Sequence, residues 1–135
     1  MAITSNFYPS SFASMFNGTL NDGDTFKCAL LSSSGSFDGS HTSFSDLSGS
    51  QVSGSGYTAG GATVTLGATS DGTKTEFAIG AASWSNVTVS FSNAVIYSAD
   101  SGDLMLHLAW PYEESVSGLD YQINAPSPTP SVTPN

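Results

Sequence analysis

Basic residues are nearly missing from this chain. Lys27 and Lys74 are the whole complement, against 11 acidic residues, which leaves a net charge of −9 over 135 residues. Two cations cannot neutralise a row of phosphates, so direct binding to nucleic acid is not expected. The same deficit speaks against an anionic membrane surface. No apolar run approaches the 18 or so residues of a membrane-spanning helix. Cysteine is reduced to Cys28, so no internal disulfide can form, and no Cys/His cluster suggests zinc. The opening residues Met1–Asn6 lack both a basic segment and an apolar core. The expectation is no signal peptide, with synthesis and assembly in a cytoplasm. The sequons at Asn17 and Asn86 carry meaning only in a secreted protein.

Large aliphatic residues are also scarce. Leu, Ile, Val and Phe make up about a fifth of the chain, near the composition at which chains stay unfolded. Their placement argues for folding: they fall into short runs that alternate with polar residues, the period of a half-buried strand. A single domain with a thin core is expected, stabilised further by self-association or by docking on a larger body.

One helix is expected over Phe7–Gly18. Pro9 suits its first turn, Ser10 or Ser11 supplies a cap, Gly18 ends it, and Phe12, Met15 and Phe16 form one apolar face. After a turn at Asn21–Asp24, Phe26, Cys28 and Leu30 share one side of a strand. The Ser- and Gly-rich stretch from Ser32 to Gly56 reads as a long irregular connection carrying Phe37 and Phe44, and long loops commonly make contacts. A glycine-rich corner, Gly54-Ser55-Gly56-Tyr57-Thr58-Ala59-Gly60-Gly61, then feeds Ala62, Val64 and Leu66.

Further alternation follows. A hairpin turn is expected at Asp71-Gly72, with Phe77 and Ile79 on the next strand. Val87, Val89 and Phe91 face one way. Ala94–Tyr97 is apolar on both sides, which marks a central strand. Past a turn at Asp100–Asp103, Leu104, Leu106, Leu108 and Trp110 form an inward face, with Met105, His107 and Ala109 outward. Leu119, Tyr121 and Ile123 complete the pattern.

The expected fold is all-β, an antiparallel β-sandwich of jelly-roll-like form with seven or eight short strands and one short N-terminal helix. Residues 1–20 form an N-terminal arm with the helix, residues 21–124 the β domain, and residues 125–135 a Pro/Thr-rich tail that is extended and solvated.

Chemistry is harder to find. A nucleophilic triad needs serine, base and acid to converge, and no Gly-x-Ser-x-Gly elbow sits between a strand and a helix. Glu113 and Glu114 are adjacent, so on a strand they point to opposite faces and do not flank one glycosidic bond. Asp22-Gly23-Asp24 and Asp100–Asp103 fall short of a calcium loop's ligand set and have the composition of turns. No catalytic residue, metal or cofactor is assigned. Trp84, Tyr97, Trp110, Tyr112 and Tyr121 are candidate stacking surfaces for sugars, with core packing as the competing use of aromatics in strands.

The order of segments carries a resemblance. Asp24–Ser32 is similar to the D-T-F-K-V-A-L opening strand of a family of small structural proteins of tailed-phage virions. Val52–Gly61 resembles that family's V-S-G-T-G-Y-T-A-G-G segment. Trp84 with Val87-Thr88 resembles its W-x-x-x-T-I-T strand, and Ala94–Tyr97 its A-V-I-Y strand. The likeness covers about residues 7 to 124, and Ser92-Asn93 stand where the family often has an arginine. The resemblance implies a non-enzymatic head decoration (cement) protein. Such a protein coats the outer head shell in the virion, after assembly in a bacterial cytoplasm, and stabilises it by bridging the major capsid protein. Capsid symmetry favours a trimer. The alternative is a tail, neck or fibre component with host-glycan binding; a small hydrolase using His107 or Glu113 ranks third. Candidate contact or structural-corner residues are Phe12, Phe16, Phe37, Phe44, Gly56, Tyr57, Gly60 and Gly61.

Overall fold

The computed structural model of the chain describes residues 4–20, 24–70, 75–123 and 131–132. The expected turn at Asp71-Gly72, most of that at Asn21–Asp24, and most of the tail lie outside them. The fold is all-β and antiparallel with one short helix, as the alternation indicates. In chain order the elements are β1 (Thr4–Phe7), α1 (Pro9–Asn17), β2 (Phe26–Leu31), β3 (Ala62–Val64), β4 (Leu66–Ser70), β5 (Thr75–Ile79), β6 (Ala82–Ser98), β7 (Leu104–Ile123) and β8 (Ser131–Val132). A five-stranded sheet runs β1-β7-β6-β2-β3 and a three-stranded sheet runs β4-β5-β8.

Two strands are much longer than expected. What reads as several short strands is one hairpin of β6, 17 residues, and β7, 20 residues. Its turn is Asp100–Gly102, closed by the Gly102 N–H donating to the Ser98 carbonyl. The hairpin is continuous because its interruptions are bulges rather than breaks. Phe91 pairs with Glu114 and Asn93 with Ala109, so the extra residues of β7 sit around Pro111, where a missing N–H does no harm. In the tail, Ser131–Val132 pairs with β5, an exception to the expected solvated segment. That pairing is at a sheet edge, where neighbouring prolines are tolerated.

Bulges also explain where alternation misleads. Ile96 pairs with Leu106 but Tyr97 with Leu104, so Met105 is an extra residue and Leu104 turns to the opposite face from Leu106 and Leu108. Leu119, expected inside, is 64% exposed. Val87 pairs with Leu119 and Val89 with Val116, which puts a bulge at Ser117-Gly118, and Gly118 there has φ +64°.

The large sheet is buried on both faces. The first carries Phe26, Cys28 and Leu30 of β2, Val87, Val89, Phe91, Ala94 and Ile96 of β6, and Leu106 and Leu108 of β7; Val64 and Ile79 join them. The second carries Ala29, Leu31, Val95, Tyr97 and Leu104, closed by Tyr8 and Leu47. β6 lies at the centre of the sheet, so Ala94–Tyr97 is apolar on both sides as its sequence suggests.

Helix α1 is shorter and differently oriented than expected. Phe7 belongs to β1, which pairs with Leu106–Ala109 of β7. The helix N-cap is Tyr8 with no side-chain cap, and the Ser11 hydroxyl donates to the Tyr8 carbonyl instead. Pro9 starts it and Gly18, at φ +83°, ends it, as read from the sequence. Ser11 is buried and Met15 packs on the first core, which turns Phe12 and Phe16 outward.

Candidate docking surface and the glycine corner

The corner before β3 is a compact, hydrogen-bonded unit. The Val52 N–H donates to the Leu30 carbonyl at 3.1 Å, which lays the segment along β2. Tyr57 then reaches back: its hydroxyl accepts from the Leu30 N–H at 3.0 Å and donates to Gln51 Oε1 at 2.7 Å. The same Gln51 oxygen accepts the Gly60 N–H at 2.6 Å. From the other face of the sheet, the Tyr97 hydroxyl donates to the Gly60 carbonyl at 2.6 Å. Burial pushes the Tyr57 phenol up to about 12, against the Leu30 N–H, which pulls it down. Burial raises Tyr97 as well, with Cys28 adding to it. Both hydroxyls therefore stay protonated and keep donating across the neutral range.

Two glycines are required by close approach. Gly61 has φ +90°, and a Cβ there would overlap the Cys28 carbonyl of β2. Gly56 has φ +82°, and a Cβ there would meet the Asn86 carbonyl of β6 at 2.7 Å. A side chain at either site meets both a disfavoured backbone conformation and a rigid strand. The corner thus seals the join between β2 and β6, with the Thr88 N–H donating to the Ser55 carbonyl at 2.8 Å.

The Ser32–Gly56 connection is more ordered than its composition suggests. It contains three single-turn 3-10 helices, Ser33–Gly35, Phe44–Asp46 and Ser48–Ser50. The second is capped at Ser43, whose hydroxyl accepts the Ser45 N–H, and Asp46 accepts from the Thr42 and Ser43 N–H groups. Those two bonds hold the exposed Asp46 carboxyl below its usual range. The connection covers the second face of the sheet. Leu47 is buried, and the Phe44 ring stacks on Tyr97 at 4.1 Å and 4°. Asn93 is buried and donates to the Ser32 carbonyl at 2.9 Å. A neutral amide here anchors the start of the cover.

No protein-family model matches the chain, and neither a curated protein nor a solved structure matches it.

The candidate residues divide into two groups. Phe44, Tyr57, Gly60 and Gly61 are half-buried and, with the exposed Gly56, make close contacts within the fold. Phe12, Phe16 and Phe37 remain at the surface, with Phe16 92% exposed. Phe12 leans on Phe7 with ring centres 5.7 Å apart, and Phe37 on Tyr8 at 5.1 Å. Among the five aromatics considered for sugar stacking, Trp84 and Tyr97 are buried. Trp110 and Tyr121 pack on Phe91, and Tyr112 stays exposed.

The ionisable candidates sit apart. His107, expected on an outward face, is fully buried, because Tyr8 and the 33–50 cover close over that side of β7. Its Nε2 lies 2.9 Å from the Gly35 carbonyl. His41 faces Asp38 at 3.8 Å. Glu113 is exposed, and Glu114 accepts from the Tyr121 hydroxyl at 3.4 Å. Asp24 accepts from the Ser98 hydroxyl, and Asp100 from the Thr25 N–H. Among the described residues no three His, Cys, Asp or Glu side chains gather in a metal-binding group.

Proposed function

We propose that the chain is a non-enzymatic structural protein of a tailed-phage virion, acting as a decoration protein on the outer head shell. One observation carries the reading. The segments that resemble the virion family are far apart in sequence and meet in space. Tyr57 of the corner bonds to Leu30 of β2 and its ring lies 6.1 Å from Trp84; Gly60 accepts from Tyr97. These contacts support reading the scattered likenesses as parts of one packed unit.

The surface suits the role. The exposed Phe12 and Phe16 of α1 offer apolar anchors on an otherwise acidic chain, and Phe37 is partly exposed as well. Exposed aromatics of this kind mark protein contacts. The major capsid protein is the proposed partner, a trimer the proposed oligomer, and the helix rather than the serine-rich segment the primary contact. Docking would add stability to a thin core by mass action.

Co-sedimentation with expanded heads lacking the chain tests this, read as copies bound per shell. Saturation at a number set by the shell lattice is the expected result, with a Phe12→Ser/Phe16→Ser variant bound at least tenfold more weakly, the loss of about 1.4 kcal/mol or more. Absence of binding, with the chain present at low copy in intact particles, would overturn the head reading.

A further inference from the structure

His107 is the one histidine placed in the core among the described residues, and its surroundings fix its state. A carbonyl oxygen only accepts, so Nε2, facing Gly35, carries the proton. Nδ1 is then a bare lone pair, buried and without a partner. Around the ring stand Tyr8, edge-on at 6.3 Å and 84°, and Phe37 at 5.8 Å and 61°. Across the strands its neighbours are Asn6 of β1 and Val95 of β6. This ring connects two things: the sheet, and the segment 33–41 that lies over it.

Other titratable groups do little to help a charge here. The β1–α1 junction brings Tyr8, whose hydroxyl is itself buried without a partner and whose ionisation is pushed up by burial and by Asp38. The cover brings Asp38 and His41, which face each other, and Asp46, which is tied to its own cap. β6 brings Tyr97, which is engaged with Gly60. No carboxylate among the described residues bonds to the His107 ring.

We propose that His107 is an acid-sensitive latch, whose protonation releases the 33–41 segment and Phe37 from the second face of the sheet. A proton on Nδ1 would place an N–H and a full charge against aromatic rings, a cost that a buried site without a counter-charge cannot offset. The charge is relieved when the cover lifts and water reaches the ring. Burial accordingly holds the His107 pKa below its ordinary value, opposed by the bond to Gly35. The open form then binds the proton more tightly than the closed form. Closure is fully favoured above the ordinary histidine pKa and weakens as pH falls below it. Opening bares the His107 ring and Leu31, against which Gly35 packs. This device does not depend on what the chain docks to.

Amide hydrogen exchange on the full chain, corrected for intrinsic rates, tests the latch between about pH 7.5 and 4.5. Protection of 33–41 relative to β6 should fall by up to about tenfold per pH unit below about 6.5. His107→Gln keeps a donor for Gly35 but does not titrate, so its protection ratio should stay flat. His41→Gln should behave as the wild type. An equal fall in the His107→Gln variant, a fall abolished by His41→Gln, or no fall in the wild type would each overturn the proposal. Should His107→Gln not fold, wild-type NMR decides. The His107 ring and the 33–41 amides must shift with one midpoint, and a ring that titrates beside unmoved amides sinks the latch.

Discussion

The two faces of the large sheet are built differently although one set of strands supplies both. The first face rests mainly on strands: β2, β6 and β7 supply it with Val64 of the same sheet, and Ile79 of the small sheet packs there together with Leu20 and Met15. The second face is strand against irregular chain: Leu31, Val95 and Leu104 are covered by Tyr8 and by single-turn helices rich in serine and glycine. Both are fully buried at their centres. The lesson is that burial does not require an alternating or apolar cover. A polar segment serves if its backbone groups are satisfied internally, as Ser43 and Asp46 satisfy theirs. What differs is how each face responds when an atom is taken away.

Leu30 and Leu31 make the sharpest comparison, since they are adjacent, fully buried and on opposite faces. Removing Leu30 leaves a hole walled by hydrogen-bonded strands, which relax little. Removing Leu31 leaves a hole under a cover that can settle inward, starting at Gly35, where a Cβ would lie 2.6 Å from that of Leu31. Residual cavity volume sets the cost of such substitutions. Leu30→Ala should therefore cost about 4–5 kcal/mol and Leu31→Ala about 2–3 kcal/mol, measured by denaturant unfolding. Equal costs would show that the irregular cover is as stiff as the strands.

The glycine corner is the seam between the faces, because Tyr57 enters it from the first and Tyr97 from the second. Gly61→Ala forces a Cβ towards the Cys28 carbonyl at φ +90°. The combined strain should cost about 2–3 kcal/mol. If the seam couples the faces, hydrogen exchange should rise on both sides of β2, at 26–31 and at 44–50. A rise confined to 54–62 would mean that the faces are independent.

How far the sequence announced this arrangement follows from the same contrast. The first face was legible, since Phe26, Cys28 and Leu30, and Val87, Val89 and Phe91, keep strict alternation. So was the central position of Ala94–Tyr97. The second face was legible only in part, because its cover has no period to detect and reads as a free loop. Leu104 and His107 depart from simple alternation for related reasons: a bulge at Met105 reverses the face of Leu104, and a cover without sequence period buries His107. Neither bulges nor covers leave a periodic signal. The sequence marks the helix, but hydrophobicity points to the wrong inner side, because the chain buries small Ser11 and leaves Phe16 out. That inversion is what the proposed contact on α1 rests on, and it becomes visible only once the packing is known.

The smallest effect expected is also the most local. Tyr57→Phe keeps the ring against Trp84 but deletes the hydroxyl, so the Leu30 N–H loses its acceptor and Gln51 loses one of two donors. Leaving a partly buried backbone donor unpaired costs about 1–3 kcal/mol, and Gln51 remains held by the Gly60 N–H, which favours the lower end. A loss of about 1 kcal/mol, with faster exchange at the Leu30 amide alone, would show that the corner's shape resides in its glycines and that Tyr57 fastens it. A loss as large as that of Gly61→Ala would reverse the order and make the tyrosine, rather than the backbone, the element that joins the two faces.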